Sequence, residues 1–560
     1  MGSHMDAMED DQLAAILAED GGFPNDEIFN TLLTLAREVK HVIVHDPQAE
    51  LNATYDNFIT DLIHARHSLK KQLSAHLNAE GSMLEEGSLV CLIAPASYEI
   101  AVAAFAILAL GGTIAPLLMS LPPEDVSDML RNSPVKCILA GTGYLQQAID
   151  IQSYAASNSL PAIQVAPIKV HHACPEALWD LPIQIDERFI IPETHSGIVM
   201  ASSGTSGTTK GVIRSRGFFY NHPRAAADES MLVHRPATWI AGIKPLTFSI
   251  LMGCRAEIID PAAGMDLLWE RLRARRVTSI CSGPLLWTQL AQYYREHLSH
   301  LPEKDEYIQG ARHIRDASTG SCVVLQSLLK FWRDEIGIRL ALCYGSTEAG
   351  VPITAVYPEE EEYNEQRCIG KQLFANMPVK LSNGDHGEIL VGGVTTFLGY
   401  LDDEVPSTTY FDDEGFFKTG DLAHKLNDHF IFDGRASIDF ICNSGGTVSV
   451  LKLEEALNGL SCIEEAYVVP VQDQKLAERA GALVRFVDQD LTLQQLRARL
   501  APHVRPAMLP TALRVLRIKD TLPRTHSGKI SKRALQKQFF LFTPGVGLPN
   551  DVELCNLDFD

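Results

Sequence analysis

Apolar runs and helical patterns alternate along the first part of the chain. Apolar runs that predict buried strands occur at residues 88–94, 113–117, 136–140, 162–165 and 196–201. Residues 98–110 form a helical pattern between the first two runs. Before these runs, residues 45–76 lead from a short strand into another helical pattern, which carries Phe58, Leu62, Ala65 and Leu69 on one face. Repeated strand–helix–strand units of this kind predict a parallel sheet that helices cover on both faces.

The pattern continues in the middle of the chain and then changes. Helices are predicted at residues 238–251 and 265–276, and strands that end in small polar residues at 279–284, 315–321 and 338–343. Short alternating strands separated by turns such as Asn383-Gly384-Asp385 follow, and they predict a β-rich subdomain. A smaller α/β unit continues to about Phe542, and the acidic tail after it, with its Pro and Gly residues, is expected to be poorly ordered.

The predicted fold class is therefore α/β. A large N-terminal domain of stacked parallel-sheet α/β subdomains is expected at residues 45–434, with the β-rich subdomain at about 351–433. A small α/β C-terminal domain is expected at 435–542, and a tail at 543–560. Residues 1–44 are assigned to an expression tag, recognisable in Met1-Gly2-Ser3-His4-Met5, and an N-terminal segment.

Composition narrows the possible partners and the compartment. The 560 residues include 70 acidic and 48 basic side chains, and the formal charge of −22 argues against nucleic acid or an anionic membrane as a general partner. The eleven cysteines form neither a CxxC pair nor a finger-like pattern, so we interpret them as reduced thiols of a cytoplasmic protein. We find no signal peptide, and the longest apolar runs are too short to span a membrane.

The most distinctive chemistry lies in the run from Ser202 to Gly211. Its three glycines and six hydroxyl residues can direct several N–H and O–H groups at one anion, and Lys210 adds a positive charge. The run follows a predicted strand, which is where ligands bind in parallel sheets. It does not match GxxxxGK[ST], because Gly211 follows the lysine. A solvated flexible loop is the alternative interpretation.

Four further motifs follow in order: Tyr344-Gly345-Ser346-Thr347-Glu348, Thr419-Gly420-Asp421, Gly434-Arg435 and Pro523-Arg524-Thr525-His526-Ser527-Gly528-Lys529-Ile530. We call the run from Ser202 to Gly211 the phosphate loop. With this loop and the weaker Thr54-Tyr55 and Gly399-Tyr400 pairs, the chain resembles the acyl-adenylate-forming superfamily over about residues 45–538. That superfamily includes acyl- and aryl-CoA synthetases, firefly-luciferase-like enzymes and the adenylation domains of nonribosomal peptide synthetases. The likeness is greatest to stand-alone acyl-CoA synthetases.

The resemblance implies a two-step reaction. A carboxylic acid attacks the α-phosphate of ATP to give an acyl-adenylate and pyrophosphate, and the acyl group then passes to a thiol. ATP and Mg²⁺ are the implied cofactors. Coenzyme A is the first choice of acceptor, a separate carrier protein the second and an amine the third. A non-catalytic nucleotide-binding relative is the alternative of another class.

The resemblance also assigns roles to residues. The phosphate loop would wrap the β- and γ-phosphates with Ser203, Gly204, Thr205, Ser206, Gly207, Thr208 and Lys210. Thr347 would bind the α-phosphate, Glu348 would hold Mg²⁺, and Lys529 would reach into the large domain to bridge the substrate carboxylate and the α-phosphate. The nucleoside would contact Tyr344, Gly345, Ser346, Ser318, Thr319, Gly320, Asp421 and Arg435. Taken singly, these residues are more typical of a helix cap, a core aromatic, a turn and a solvated lysine.

Two departures from the family pattern concern the catalytic cycle. Thr209 stands where proline usually precedes the lysine, which removes stiffness from the loop but not its donors. Ser437 stands at the hinge, about which the small domain is expected to rotate between the two steps, where Asp or Lys is usual. Asp439 is the alternative hinge position if the loop carries an insertion.

The segment around residue 240 falls where the family builds its acyl pocket. Trp239, Ile240 and Ile243 make it mostly apolar, and Ile240 matches the position where amino-acid-activating relatives carry aspartate. An α-ammonium group would therefore be buried without a partner, so we expect an aryl or aliphatic acid. Lys244 is a candidate partner for a second carboxylate or a hydroxyl on the substrate, and a snorkelling lysine is the alternative.

Overall fold

The computed structural model describes most of the chain. The described residues are 2–119, 122–124, 126, 135–172, 178–203, 209–322, 324, 326–365, 367–401, 407–435, 439–443, 446–473, 477–525, 529–541 and 547–555. They form two units. The first unit comprises Met1–Ser202, Lys210–Ile353 and Val394–Phe411, and the second comprises Ser203–Thr209, Thr354–Gly393 and Asp412–Asp560.

Ten α-helices lie in the described part of the first unit. They are α1 (Gly2–Asp20), α2 (Glu27–Glu38), α3 (Tyr55–Gln72), α4 (Tyr98–Ala109), α5 (Leu145–Ser157), α6 (Ile240–Met252), α7 (Gly264–Arg273), α8 (Pro284–Tyr293), α9 (Lys304–Ala311) and α10 (Gln326–Phe331). Helix α4 is apolar on every side and almost wholly buried, as expected for a helix enclosed by the core. Ser97 caps it by accepting the N–H of Ile100.

The strands of the first unit form sheets that are largely parallel, as the sequence predicts. The strands are β1 (Phe23–Asn25), β2 (Val44–Asp46), β3 (Leu51–Ala53), β4 (Leu89–Ile93), β5 (Thr113–Pro116), β6 (Val135–Ala140), β7 (Gln164–Pro167), β8 (Ile185–Ile190), β9 (Ser196–Ser203), β10 (Thr209–Ser215), β11 (Ser230–Val233), β12 (Arg255–Ile258), β13 (Ser279–Ser282), β14 (Asp316–Gly320), β15 (Ala341–Ser346) and β20 (Phe397–Tyr400). One sheet has the order β20-β10-β9-β5-β4-β6-β7, in which β9, β5, β4, β6 and β7 are parallel. Another run of strands has the order β3-β2-β12-β11-β13-β14-β15 and is parallel except between β2 and β3. The α/β prediction is confirmed.

The first unit also contains a fully buried ion pair. Asp26, which caps α2 through the N–H of Phe29, accepts hydrogen bonds from Nε and a terminal nitrogen of Arg216, and neither side chain is exposed. Arg216 donates as well to the carbonyl of Leu108 in the last turn of α4. The pair thus connects three distant parts of the sequence in the core.

The second unit combines a β-rich part with a small α/β part. Its strands are β17 (Cys368–Gln372), β18 (Val379–Leu381), β19 (His386–Val391), β21 (Phe417–Leu426), β22 (His429–Arg435), β23 (Phe440–Asn443), β24 (Gly446–Ser449), β25 (Ile463–Asp473), β26 (Ala477–Phe486), β27 (Ala512–Val515) and β28 (Val552–Leu554), and β16 (Gly350–Val356) enters it from the first unit. Its helices are α11 (Val450–Asn458), α12 (Leu493–Leu500) and α13 (Lys532–Phe539). Strands β18, β19, β21, β22 and β17 pair in that order and are antiparallel.

The prediction of a poorly ordered tail is wrong for residues 547–555. Strand β28 pairs with β27 in a sheet of order β25-β26-β27-β28, and Glu553 accepts the N–H of Leu493 at the start of α12. A strand of three residues is too short to give a clear alternating pattern, so tertiary contacts define it. No helix in the described ranges has the length and apolar character of a membrane span.

Candidate active site

The predicted site residues divide between the two units. Lys210, Tyr344, Thr347 and Glu348 lie in the first unit, together with the residues of β14 that are predicted to contact the nucleoside and the predicted acyl-pocket residues of α6 and its N-cap, Trp239. Asp421, Arg435 and Lys529 lie in the second. Gly204, Thr205, Ser206, Gly207, Thr208 and Ser437 lie outside the described residues, as does the side chain of Ser203.

The strand that leaves the phosphate loop pairs with a distant segment. β10 runs antiparallel to β20, and the register places Val212 opposite Tyr400 and Ile213 opposite Gly399. A Cβ atom at Gly211 would lie 3.0 Å from Cβ of Leu401, so the chain next to Lys210 approaches this segment closely. Strand pairing therefore brings the Gly399-Tyr400 pair to the base of the phosphate loop.

Tyr400 links two residues predicted to act on the triphosphate. Its hydroxyl donates to Oε1 of Glu348 at 2.9 Å, and the Lys210 ammonium lies 4.5 Å from the centre of its ring. The tyrosine thus provides a hydrogen bond to the acidic group and a cation–π contact to the basic one. No sequence motif predicts this role for Tyr400, because the register between two distant strands brings it here.

Arg214 fixes the backbone of the Thr347-Glu348 segment. One terminal nitrogen of its guanidinium donates to the carbonyl oxygens of Thr347 at 3.0 Å and Glu348 at 2.6 Å, and the other donates to Oγ1 of Thr396. Burial lowers the pKa of Arg214 to about 10, against the opposing effect of the Glu348 charge. Arg214 was not predicted as a site residue either. A signal was available, since Arg214 directly follows the apolar pair Val212-Ile213 within a strand, and a buried basic residue needs partners.

The residues predicted to contact the nucleoside lie on neighbouring parallel strands. Ser318 and Gly320 end β14, and Tyr344, Gly345 and Ser346 end β15. A Cβ atom at Gly320 would lie 2.2 Å from the carbonyl oxygen of Cys343, so only glycine fits against the adjacent strand. The carboxyl ends of adjacent parallel strands form the edge of the sheet where ligands bind.

Helix α6 carries the predicted acyl pocket. Ile243 is completely buried and Trp239 almost completely, whereas Lys244 is partly exposed. Nζ of Lys244 lies 5.3 Å from the centre of the Phe248 ring, whose centre is 3.8 Å from that of His222. Burial lowers the pKa of Lys244, and burial together with the Lys244 charge lowers the pKa of His222 to about 4.

In the second unit, Asp421 and Arg435 form a two-point ion pair. They stand opposite each other on β21 and β22, and Arg435 donates from Nε to Oδ1 at 2.5 Å and from a terminal nitrogen to Oδ2 at 3.0 Å. The Arg435 N–H donates to Asp439 at 3.0 Å, and Asp439 accepts from Lys532 at 3.1 Å. Asp439, the alternative hinge position, is thus bound to both the Gly-Arg motif and α13.

Lys529 of the second unit is hydrogen-bonded to Thr525 in both directions. Its N–H donates to Oγ1 of Thr525 at 3.1 Å, and the Thr525 N–H donates to its carbonyl at 2.7 Å. Arg524 and Ile530 form a β-bridge just outside this pair. These bonds explain why the motif contains a threonine four residues before the lysine.

Comparisons with known proteins identify the family of the chain. Residues 67–401 match the model of the AMP-binding enzyme family, and residues 452–529 match that of the AMP-binding enzyme C-terminal domain. The acyl-CoA ligase oryP of Aspergillus oryzae is 32% identical over 92% of this chain and 93% of its own length. The mitochondrial malonate–CoA ligase ACSF3 of Xenopus laevis is 26% identical over 80% of this chain and 83% of its own. The crystal structure of ATP-bound MatB from Rhodopseudomonas palustris superposes with a TM-score of 0.74 at 19% identity, covering 92% of this chain and 98% of that one.

Proposed function

The chain belongs to the AMP-binding enzyme family, and from that premise we propose that it is an AMP-forming ligase that joins a carboxylic acid to coenzyme A. Matches to both family models, together with near-complete coverage of an acyl-CoA ligase, support this function over carrier-protein loading, amide formation and non-catalytic nucleotide binding. The structural observation that carries the proposal is the chain of contacts from Lys210 through Tyr400 to Glu348.

The first step is adenylation. An oxygen of the substrate carboxylate attacks the α-phosphorus of ATP, the bond to the bridging oxygen breaks, and its electron pair leaves with pyrophosphate. We assign Lys210 and the phosphate loop to the charge that grows on the β- and γ-phosphates, and Thr347 to the α-phosphate. The Arg214 bonds to the carbonyls of Thr347 and Glu348 hold this segment before the nucleotide binds.

Glu348 is the residue proposed to hold Mg²⁺. Its carboxylate oxygens match the preference of this cation for hard oxygen ligands, and Tyr400 orients the group from behind. When bound, Mg²⁺ neutralises phosphate charge. The hydrogen bond from Tyr400 to Oε1 of Glu348 keeps that carboxyl group aligned.

The nucleoside and the second step involve the remaining site residues. We assign the adenine to Tyr344 and to Ser318, Thr319 and Gly320, and the ribose hydroxyls to the carboxylate of Asp421, which Arg435 orients. Lys529 is assigned to the carboxylate oxygen during adenylation. In the second step the thiol sulfur of coenzyme A attacks the acyl carbon, and AMP leaves with the electrons of the broken C–O bond. Rotation of a domain of residues 435–542 about Ser437 is proposed between the steps.

The acid and the compartment complete the proposal. The buried Ile243 and Trp239 favour an aryl or aliphatic acid without an α-ammonium group. The nine cysteines whose side chains the structure describes are free thiols, which supports a cytoplasmic location.

Pyrophosphate release tests the function directly. The purified protein is incubated with ATP, Mg²⁺ and a panel of aryl and aliphatic acids, with and without coenzyme A, and hydroxylamine is added to trap the acyl-adenylate. We expect a trapped hydroxamate without coenzyme A and a thioester with it. If no acid of the panel gives pyrophosphate or hydroxamate, the proposed function is wrong.

A further inference from the structure

A largely buried lysine of the second unit contacts two carboxylates at once. Nζ of Lys532 donates to Oδ1 of Asp439 and to Oε2 of Glu454, at 3.1 Å in each case. The three side chains are, in that order, only 22%, 10% and 15% exposed, and we call them the Lys532 triad. Burying charged groups costs desolvation energy, so a buried ion pair is weak evidence for a gain in stability. The triad therefore calls for another explanation.

Formation of α13 does not explain the lysine either. Lys532 is the first residue of this helix, where the positive end of the helix dipole opposes a positive charge. Ser531 already caps the helix by accepting the N–H of Ala534 at 3.3 Å. Leu535 and Phe539 anchor the helix, because they are buried in a cluster with residues of β25, β26 and β27.

Asp439 connects the triad to the Gly434-Arg435 motif. Its Oδ2 accepts the Arg435 N–H at 3.0 Å, and its own N–H donates to the Arg435 carbonyl at 3.0 Å. A Cβ atom at Gly434 would lie 2.9 Å from Cβ of Asp439, so the two residues are in close contact. The side chain of Arg435 binds Asp421, the proposed ribose ligand. One carboxylate therefore contacts both this motif and the first residue of α13.

Glu454 connects the triad to the small α/β part of the second unit. It lies on α11, and its Oε1 accepts the N–H of Val468 on β25 at 2.8 Å. Burial raises the pKa of Glu454, and the Lys532 ammonium is the strongest opposing influence. Burial also works against the charge of Lys532, but the two carboxylates outweigh it and raise the pKa of this lysine. The lysine is therefore charged at neutral pH and joins α13 to α11 and, through Glu454, to β25.

The segment that carries Lys529 leads directly into α13. Lys529 and Thr525 are hydrogen-bonded in both directions, and the Ser531 N–H donates to the carbonyl of Pro523 at 3.0 Å. These bonds tie the backbone of Lys529 to the start of the helix. A contact that fixes the first residue of α13 therefore also fixes the backbone from which the Lys529 side chain extends.

We propose that Lys532 is a positioning residue for adenylation, in which the Lys532 triad fixes the backbone of Lys529 relative to the Gly434-Arg435 motif. The inference rests on the proposed ligase function and deepens it, since it concerns how Lys529 is presented in the first step. The triad lies within residues 435–542, the part proposed to rotate between the two steps, so its contacts can persist while that part turns. A misplacement of about 1 Å can cost a reaction about a hundredfold in rate, so a small loss of order at Lys529 is measurable.

Separate assays of the two half-reactions test the proposal. Lys532→Met removes the charge but keeps a long side chain. With ATP, Mg²⁺ and the acid of the panel that the wild type uses best, we expect kcat for pyrophosphate release to fall about tenfold or more, the effect of losing a hydrogen bond between charged groups. Thioester formation from coenzyme A and the synthetic adenylate of the same acid should fall far less, because Lys529 is not assigned to that step. An equal loss in both half-reactions, or no loss in either, overturns the inference.

Two further variants assign the effect to the charge of this residue. Lys532→Arg keeps a positive charge that can donate to both carboxylates, so most of the rate of pyrophosphate release should return. Lys537→Met, at an exposed lysine of the same helix, is the matched control and should behave like the wild type in both assays. A folded Lys532→Arg variant that is as slow as Lys532→Met shows that the charge does not position the segment.

Asp439→Asn keeps the test decisive if Lys532→Met does not fold. The new amide oxygen can still accept the Arg435 N–H, but the charge that faces Lys532 is lost. We expect the same selective loss of pyrophosphate release, and thermal unfolding of each variant confirms that it is folded. If no folded variant shows the selective loss, the inference is wrong and the ligase function stands. A wild type that releases no pyrophosphate with any acid of the panel refutes the ligase function itself.

Discussion

Replacing Tyr400 by phenylalanine removes the hydrogen bond to Glu348 from the candidate active site and keeps the aromatic ring. The hydroxyl that donates to Glu348 at 2.9 Å is lost, while the ring remains below the Lys210 ammonium. The register of β20 against β10 does not depend on the hydroxyl, so the phosphate-loop strand should keep its place. Tyr400→Phe therefore isolates the orientation of the Glu348 carboxylate.

The expected magnitude follows from the kind of bond. A hydrogen bond to a charged group contributes about 1.5–3 kcal/mol, and we take the lower end because both side chains are partly exposed. About 1.4 kcal/mol corresponds to a tenfold loss in kcat/KM of adenylation. Tyr400→Ala also loses the cation–π contact with Lys210, about 0.5–1 kcal/mol at an exposed site, so its loss should be a few-fold larger.

ATP–pyrophosphate exchange measured over a range of Mg²⁺ concentrations is the assay. Because Tyr400 supports the proposed metal ligand, Tyr400→Phe should also raise the Mg²⁺ concentration needed for half-maximal exchange. Tyr357→Phe, at a tyrosine that is 48% exposed, is the control and should behave like the wild type. If Tyr400→Phe matches the wild type in both kcat/KM and Mg²⁺ dependence, Tyr400 does not orient Glu348 for catalysis.

Three further predictions concern other parts of the chain. Lys529→Ala should abolish pyrophosphate release but leave thioester formation from preformed acyl-adenylate partly intact, and equal loss of both steps would show that its role is misassigned. Asp26→Ala leaves Arg216 buried without its anion and should lower the free energy of unfolding in urea by about 3–5 kcal/mol. Asp334→Ala, which breaks an exposed pair, is the control, and a loss for Asp26→Ala no greater than that of the control would contradict the prediction. Burial, and to a lesser extent the charge of His171, lowers the pKa of His64 from its ordinary 6.5 to about 4. Between pH 6.5 and 4 the unfolded state therefore binds more protons than the folded state, so the free energy of unfolding falls as the pH falls. Thermal unfolding should therefore depend less steeply on pH in that window for His64→Gln than for the wild type, and an unchanged slope would exclude His64 as a cause.

The elements that sequence analysis predicted are those with strong local patterns. Helix α4 is apolar almost throughout and lies where residues 98–110 predicted it, and α6 forms despite Pro245. The pattern of β28 was too weak, because the strand has three residues and depends on β27 for its pairing. Local sequence therefore indicates which segments are buried, whereas the position of short edge strands depends on tertiary contacts.

The candidate site shows the same limit at the level of side chains. Lys210 and Glu348 were selected because they lie inside recognisable motifs, and their assigned roles remain predictions. Tyr400 and Arg214 escaped selection, since what brings them to Glu348 is the pairing of strands far apart in the sequence.

The chain passes between the two units five times, at residues 202/203, 209/210, 353/354, 393/394 and 411/412, because Ser203–Thr209 belongs to the second unit and Val394–Phe411 returns to the first. No single cut of the polypeptide can separate the units. An expression fragment ending at Ile353 would lack the neighbour of β10 and with it Tyr400, whereas one extended to Phe411 would retain both. Chimaeras that exchange the second unit between relatives must therefore transplant three stretches of sequence and leave the intervening stretches of the host in place.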